Sequence, residues 1–243
     1  VNWGTIPSKT LRESAVFFYQ LTRNRLHGIR YEVGPELTVA DFMHRERAVV
    51  QRELELINES LGRYAVEVVQ GHARFAGPHA VAVKPPNGAD TRTLTADFFV
   101  IATGSRPNRP DDVPFDGETV FDSETILQLP RMPKTMTVLG AGVVGIEYAS
   151  IFAALGIAVT LVDTRDRLLP YLDREIVDVL VAELGRLGVT IVHSDRYARV
   201  ERTSGRPPRV ACETQAGRHL DSDVLLYCVG RDGNTGDIGL GTL

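Results

Sequence analysis

The chain has 243 residues, of which 43% are hydrophobic and 24% charged, and its formal net charge is -4. These values are typical of a soluble globular protein with one large or two ordinary domains. The acidic excess gives no reason to expect a nucleic acid or an anionic membrane as a partner, and no apolar run approaches the roughly 18 residues needed to span a bilayer. The two cysteines, Cys212 and Cys228, lack a CxxC spacing, so we expect reduced thiols in a cytoplasmic protein.

The first 130 residues predict two helices followed by strands. A helical stretch runs to about Arg23 from the turn at Ile6-Pro7-Ser8, and a longer helix covers Thr38–Arg63 with a cap at Thr38 or Asp41. Turn residues then separate three predicted strands, at Val66–Phe75, His79–Lys84 and Arg92–Thr103. Proline-rich chain follows, and a new domain is expected to begin near residue 131.

The remaining residues alternate between strand and helix patterns. Strands are predicted at Thr135–Leu139, Ala158–Asp163, Val189–His193, Tyr197–Thr203, Arg209–Thr214 and Val224–Val229, and helices at Val143–Leu155 and Asp173–Leu187. Such alternation indicates a parallel sheet with helices on both faces. An antiparallel meander is expected near residues 197–214.

A glycine-rich turn lies between the first strand and the first helix of this region. Its sequence, GAGVVG, matches GxGxxG in the strand–turn–helix context that the pattern requires. Gly140 is expected to make the tight turn, Gly142 to let the backbone approach a pyrophosphate, and Gly145 to let the helix pack closely. Val143 and Val144 open a helix whose N–H groups favour a phosphate. We therefore predict a nicotinamide dinucleotide site here.

Charged residues follow the second strand of the same unit. Asp163 comes 23 residues after Gly140, where a carboxylate can accept hydrogen bonds from the adenosine ribose and thus favours NAD. Thr164 and Arg165 follow at once, and a guanidinium suits the 2′-phosphate of NADP. Arg165 and Arg167 could equally be solvated turn residues. The combination of an acidic and a basic residue predicts a site that accepts both NAD and NADP.

Four motifs in order give the chain a resemblance to a known family. They are WGTIPSK at 3–9, ATG at 102–104, GAGVVGIE at 140–147 and VGRDGNT at 229–235. This order resembles the flavoproteins with two dinucleotide-binding domains, which include dihydrolipoamide dehydrogenase and glutathione reductase. The resemblance implies an α/β fold with two Rossmann-like, three-layer domains and β-meander crossovers. It also implies that the NAD(P) domain is inserted in the FAD domain.

The resemblance also implies domain ranges and flavin contacts. Residues 1–130 would belong to the FAD domain, 131–235 to the NAD(P) domain and 236–243 to the returning FAD segment. The residues expected beside FAD are Ala102, Thr103, Gly104, Gly230 and Arg231. The initiator Met and the family's first GxGxxG are missing, so we expect a fragment of a longer protein, which the resemblance suggests is a homo-oligomer.

One departure from the family pattern bears on the reaction. The disulfide reductases of the family carry Cys-x4-Cys before Ile-Pro-Ser-Lys, and the second of those cysteines aligns with Thr5. A dithiol relay needs two adjacent thiols, and a threonine hydroxyl is not redox-active. The WGTIPSK and TRDRLL sequences resemble the soluble transhydrogenase branch. That branch implies ping-pong hydride transfer from NADPH to NAD through FAD.

Two charged residues are candidates for assisting that transfer. Glu147 follows Gly145 by two positions and is expected on the nicotinamide side. In the family a lysine of the Ile-Pro-Ser-Lys turn pairs with this glutamate near the flavin, which corresponds to Lys9. Pairing is physically sensible because either charge would be costly to bury alone. No metal site is expected, since the histidines lack ligand spacing.

Three other functions stay open from the sequence. A disulfide reductase resembling dihydrolipoamide dehydrogenase is the first, and Thr5 argues against it. The second is a non-catalytic flavoprotein that senses NAD(P), in which Lys9 and Glu147 would have no evident task. The third is a nicotinamide-binding domain without flavin, against which the ATG and Gly230-Arg231 motifs argue.

Overall fold

The computed structural model describes residues 5–23 and 39–243. The helices are α1 (Thr5–Arg23), α2 (Val39–Arg63), α3 (Val143–Ala154) and α4 (Arg174–Leu187). The strands are β1 (His72–Gly77), β2 (Ala80–Lys84), β3 (Arg92–Thr95), β4 (Ser105–Pro107), β5 (Val120–Asp122), β6 (Thr135–Leu139), β7 (Ala158–Val162), β8 (Val189–Val192), β9 (Tyr197–Thr203), β10 (Arg209–Thr214), β11 (His219–Ser222), β12 (Val224–Tyr227) and β13 (Arg231–Gly233). No helix in these ranges is long and apolar enough to cross a membrane.

The chain forms two compact units, each of which is discontinuous in sequence. The first contains α1, α2 as far as Leu54 and the chain from Pro107 to Val229, and the second contains Glu55–Arg106 with Gly230–Leu243. The strand β5 precedes residue 131 but pairs with β12 in the main sheet of the first unit. The domain ranges 1–130, 131–235 and 236–243 stay a prediction.

A five-stranded parallel sheet is the centre of the first unit. Its order is β5-β12-β6-β7-β8, and α3 and α4 connect β6 to β7 and β7 to β8 as crossovers. The strands read as continuous apolar runs because both faces are covered: Val224, Leu225, Leu226 and Tyr227 are all buried. The predicted parallel α/β fold is confirmed.

The two faces of that sheet are covered by different layers. Val138 and Leu226 belong to a core that includes buried side chains of α1, α3 and α4. Leu139 and Leu225 point the other way, into a core with the antiparallel sheet β11-β10-β9. The predicted meander is thus confirmed and gains β11, whereas the prediction of helices on both faces is wrong. Cys212 is buried in the meander core and Cys228 is half-buried, and neither cysteine forms a disulfide.

The sequence predicted the helices and most strands of the first unit to within two residues. Helix α1 begins at Thr5 and α2 at Val39, so Asp41 lies inside α2, while the alternative cap Thr38 lies outside the described residues. Asp173 caps α4 by accepting from the N–H of Glu175. The short strands β4, β5, β11 and β13 were not predicted.

Two strand predictions in the second unit are wrong in extent. Strand β1 begins at His72 and not at Val66, and β3 ends at Thr95 and not at Thr103. Most of the apolar residues that suggested longer strands are exposed, with Phe98 at 91% and Val100 at 92%. No strand in the described ranges pairs with them, and an apolar run forms a strand only where a neighbour takes its backbone hydrogen bonds.

A tight turn after β5 helps to position α3. The Asp122 carboxylate is fully buried, accepts from the N–H groups of Glu124 and Thr125, and pairs with Arg109. The Ser123 carbonyl inside this turn accepts from the hydroxyl of Tyr148 on α3 at 3.0 Å. The second turn of the helix is therefore anchored to the sheet edge.

Removing the charge of Asp122 should lower stability at neutral pH. Burial alone would raise its pKa, but the hydrogen bonds from Thr125, Glu124 and Arg109 outweigh burial and hold the pKa below its usual range. A depressed pKa stabilises the fold above the ordinary carboxyl value, and this contribution is lost as the pH falls through the depressed value. We expect Asp122→Asn to lose about 1–3 kcal/mol at pH 7, measured by urea denaturation.

The matched control is Asp90→Asn, which removes an exposed charge and should change stability by less than about 0.5 kcal/mol. The difference between Asp122→Asn and the unmodified protein should shrink as the pH is lowered. An equal loss at every pH would contradict this role of the carboxylate.

Candidate functional site

The turn between β6 and α3 is built on two glycines that no other residue could replace without movement. Gly140 has φ +93°, and a Cβ there would lie 2.8 Å from the Cys228 carbonyl oxygen. A Cβ on Gly145 would lie 1.9 Å from the carbonyl oxygen of Gly140. The helix therefore starts directly against the end of the strand because both positions lack a side chain.

Gly142 differs from these two glycines because it faces open space. It is the N-cap of α3 with φ -73°, a value that any residue can adopt, and a Cβ there would meet no atom within 4 Å. Val143, the first helical residue, is exposed, while Val144 packs against the core. The helix N-terminus is thus open to a ligand at the position where the sequence predicts a pyrophosphate.

Asp163 lies at the end of β7, beside the glycine turn. Its side chain is 3% exposed, and its Oδ2 accepts from the N–H of Ala141 at 2.5 Å. Arg165 donates its Nε to Oδ1 and its Nη2 to Oδ2, both at 2.7 Å. Burial would raise the pKa of Asp163, but the bonds from Arg165 and Ala141 outweigh it and hold the pKa below its usual range.

The residues after Asp163 form the outer part of this corner. Thr164 is exposed, and Arg165 has a raised pKa because its side chain hydrogen-bonds Asp163. Arg167 turns away to donate to the Leu172 carbonyl at 3.0 Å. The structure therefore brings Asp163 and Arg165 together as one ion pair beside the glycine turn.

Lys9 and Glu147, the two charges predicted to pair, are in contact. The Lys9 ammonium forms an ion pair with Oε1 of Glu147 across the packed helices α1 and α3. Ser8, which is buried, donates to Oε2 of the same carboxylate at 3.5 Å. Glu147 lies on the helix that follows the glycine turn, two residues beyond Gly145. Thr5 is the first residue of α1.

The ATG and GRDGNT motifs come together in the second unit. Asn234 donates its side-chain amide to the Thr103 carbonyl at 3.1 Å and its backbone N–H to the Gly104 carbonyl at 3.0 Å. Arg231 donates to the hydroxyl and the carbonyl of Ser105 at 2.9 and 2.7 Å. Segments about 130 residues apart are therefore joined, as two parts of one site would be.

A cavity of about 600 Å³ lies at this junction, within the range usual for ligand sites. Its lining comes from three segments of the second unit, with Gly71, His72, Ala73, Thr103, Arg106, Asn234, Gly236, Asp237 and Ile238. Of the five predicted flavin residues, Thr103 lines the cavity. Ala102 and Gly104 flank Thr103 in sequence, Arg231 is the first residue of β13, and Gly230 immediately precedes that strand.

Three residues with clear structural roles were not singled out from the sequence. Ser8 contacts Glu147, Tyr148 anchors α3, and Asn234 joins the two motifs of the second unit. Ser8 and Asn234 lie inside the WGTIPSK and VGRDGNT motifs, so their position in the sequence is a usable signal. The contact between Tyr148 and Ser123 has no sequence signal because it depends on how β5 joins the sheet.

Comparison with known proteins places these features in a family. The profile of the pyridine nucleotide-disulphide oxidoreductases matches residues 1–242. The chain belongs to this family. The resemblance inferred from the four motifs is therefore confirmed, as is the Rossmann-type α/β fold.

The similar curated proteins include soluble pyridine nucleotide transhydrogenases. That of Mycobacterium bovis is 39% identical over 99% of this chain and 51% of its own length, and that of Colwellia psychrerythraea is 40% identical over 98% and 50%. Among solved structures, LpdA from Mycobacterium tuberculosis has a TM-score of 0.89 at 25% identity, covering 100% of this chain and 52% of that one. The flavoprotein disulfide reductase RclA from Escherichia coli has a TM-score of 0.80 at 26% identity, covering 99% and 50%. The chain spans about half the length of these relatives.

Two glycine substitutions should separate folding from nucleotide binding. Gly145→Ala pushes a methyl group into the Gly140 carbonyl and should cost about 1–3 kcal/mol or more. The methyl group of Gly142→Ala meets nothing in the protein, so this variant should lose less than about 1 kcal/mol, the cost of alanine at an N-cap. Its affinity for NADP+ should fall about 10-fold or more if the pyrophosphate lies against this backbone.

The two effects are measured by thermal denaturation and by equilibrium binding of NADP+. Normal affinity in a well-folded Gly142→Ala variant would show that the pyrophosphate lies elsewhere.

Proposed function

We propose that this chain is part of an FAD-dependent oxidoreductase that transfers hydride from NADPH to NAD+. The observation that carries the proposal is the Asp163–Arg165 ion pair beside an open helix N-terminus. A lone carboxylate at this corner would disfavour a 2′-phosphate, and a lone guanidinium would favour it. A paired acid and base supports acceptance of both nucleotides, which a transhydrogenase requires.

A single nucleotide site would serve donor and acceptor in turn. The described residues contain one glycine turn with this geometry, at the start of α3. NADPH would bind there and leave as NADP+, and NAD+ would then take its place. A ping-pong order follows from this sharing, because the two nucleotides cannot occupy one site together.

The second unit supports the binding of FAD. The cavity at the junction of the ATG and GRDGNT motifs offers Thr103, Arg106 and Asn234 as polar lining. Gly104 beside it has φ +72°, a backbone conformation that favours glycine, and it has no side chain to block the junction. When bound, FAD supplies a group that accepts a hydride and returns it.

Lys9 and Glu147 are proposed to assist the transfer as a charged pair. Glu147 stands on α3 near the nucleotide turn, and its carboxylate contacts both Lys9 and Ser8. The pair is half-exposed, so it adds little to stability by itself. A charge placed where charge changes during transfer can instead lower the barrier.

The cysteines do not favour the disulfide reductase as an alternative. Position 5 is threonine, and neither cysteine of the chain lies in α1. Burial, together with the nearby Asp195, raises the pKa of Cys212 to about 11, which makes it a poor nucleophile near neutral pH. The relatives include both transhydrogenases and a disulfide reductase. An assay must therefore decide which reaction this protein catalyses.

The deciding assay mixes the full-length protein with NADPH and the thionicotinamide analogue of NAD+. Reduced analogue should appear, with initial rates that give parallel lines in a double-reciprocal plot, as a ping-pong order requires. Reduction of lipoamide or another disulfide without transfer to the analogue would instead establish a disulfide reductase. Nucleotide binding without either reaction would indicate a sensor.

Replacing Lys9 tests the charged pair. Lys9→Met should slow flavin reduction by NADPH about 10-fold or more, because the charge of Glu147 is left without its partner. The affinity for NADP+ should change less than about 3-fold, since the pair is not placed at the pyrophosphate. Stopped-flow absorbance of the flavin gives the rate.

The control is Arg12→Met, which removes an exposed charge from the same helix. It should leave the rate unchanged. Equal rates in the Lys9→Met variant and the unmodified protein would remove the pair from the mechanism.

A further inference from the structure

The carboxylate of Asp163 has no free position for a ligand in this structure. Four N–H groups donate to it: the backbone N–H of Ala141 to Oδ2, that of Arg165 to Oδ1, and two side-chain groups of Arg165, one to each oxygen. A carboxylate has about four lone-pair sites. These donors fill them, and the side chain is 3% exposed.

An acidic residue at this position is ordinarily expected to accept hydrogen bonds from the adenosine ribose. Here that contact would require Arg165 to withdraw from both oxygens. Withdrawal would leave a buried carboxylate with one donor fewer on each oxygen, and a buried charge that loses hydrogen bonds is destabilised. The geometry therefore does not favour Asp163 as the ribose acceptor.

The backbone around the pair is also held in place. The backbone N–H of Asp163 donates to the Val192 carbonyl at 2.9 Å, and the backbone carbonyl of Asp163 accepts from the N–H of Asp195 at 3.0 Å. The Arg165 carbonyl accepts from Ser194 at 3.1 Å. The segment that carries both charges is therefore tied to the end of β8 and the turn after it.

Arg165, unlike Asp163, keeps an accessible face. Its side chain is 38% exposed, and a guanidinium has five N–H donors, of which two are directed at Asp163. The other donors are available to an oxygen acceptor. A hydroxyl oxygen and a phosphate oxygen can both accept from them.

We propose that Arg165, held by Asp163, is the residue that contacts the 2′ position of both nucleotides, and that Asp163 is its fixed counter-ion and does not contact the ribose. This specificity role rests on the proposed function, in which nucleotides bind at the glycine turn. Because the pair is neutral overall, it neither repels a 2′-phosphate nor requires one. Dual acceptance then follows from a single donor residue, without rearrangement between half-reactions.

The charge-neutral variant Asp163→Asn tests whether the carboxylate contacts the ribose. Its amide oxygen can still accept from Ala141, and the ribose contact is unaffected if Arg165 makes it. We expect the dissociation constant for NAD+ to change by less than about 5-fold. Direct contact between the carboxylate and the ribose would instead cost about 10-fold or more on its removal, and a loss above 5-fold would overturn the proposal.

The variant Arg165→Met tests whether Arg165 contacts the 2′ position. NADP+ loses a charge-assisted bond and should bind about 10- to 100-fold more weakly, while NAD+ should weaken by a smaller factor. Arg174→Met removes an exposed arginine from α4, 81% exposed, and should leave both affinities unchanged. Equal losses for the two nucleotides in Arg165→Met would contradict the role of Arg165 at the 2′ position.

Both affinities are measured by calorimetry on the oxidised full-length protein, which does not react with NAD+ or NADP+. If Asp163→Asn does not fold, the 2′-O-methyl analogue of NAD+ replaces it on the unmodified protein. Its ether oxygen accepts from Arg165 but cannot donate to Asp163, so we expect binding within about 5-fold of NAD+, and a larger loss would overturn the proposal.

The outcomes also separate this inference from the proposed function. If the unmodified protein bound neither nucleotide, the proposed function itself would fail. If it bound both and transferred hydride, but Asp163→Asn lost NAD+ affinity, only the assignment of Arg165 would fail.

Discussion

The close contact between helix α3 and the turn at Gly140 is the constraint on which the first unit depends. A Cβ at Gly145 would lie 1.9 Å from the Gly140 carbonyl oxygen, so only glycine lets the helix begin there. From this start the next turn of the helix carries Glu147 to Lys9 and Tyr148 to the turn after β5. The open N-terminus, the charged pair and the anchor to the sheet edge share this one origin.

The second constraint is the carboxylate of Asp163, which links neighbouring parts of the same corner. It accepts from Ala141 in the glycine turn and from Arg165 beyond the strand. A buried carboxylate is stable only when such donors surround it. The requirement that stabilises the corner also decides which charge remains accessible, and that charge is the guanidinium.

The parts of the fold with local signals were predictable from the sequence. Strand β6 and the start of α3 at Val143 were predicted to the residue, because glycines and a change of apolar periodicity mark both boundaries. The strand predictions that include Val66 and Phe98 are wrong because strand formation also depends on residues that are distant in the sequence. Apolar residues can indicate a strand, but pairing depends on a neighbour that is distant in sequence.

The sequence by itself determined the family, the glycine turn and the residue types at the candidate site, since these follow from motifs and their spacing. Only the tertiary structure decided how the charges combine. Asp163 and Arg165 are two positions apart, and the sequence supported NAD from one and NADP from the other. In the folded chain the Asp163 carboxylate is buried and the Arg165 side chain covers it. Both carboxylate oxygens need hydrogen-bond donors once the end of the strand is removed from water. Which of two adjacent charges faces a ligand is a matter of burial, and burial is a property of the packed chain.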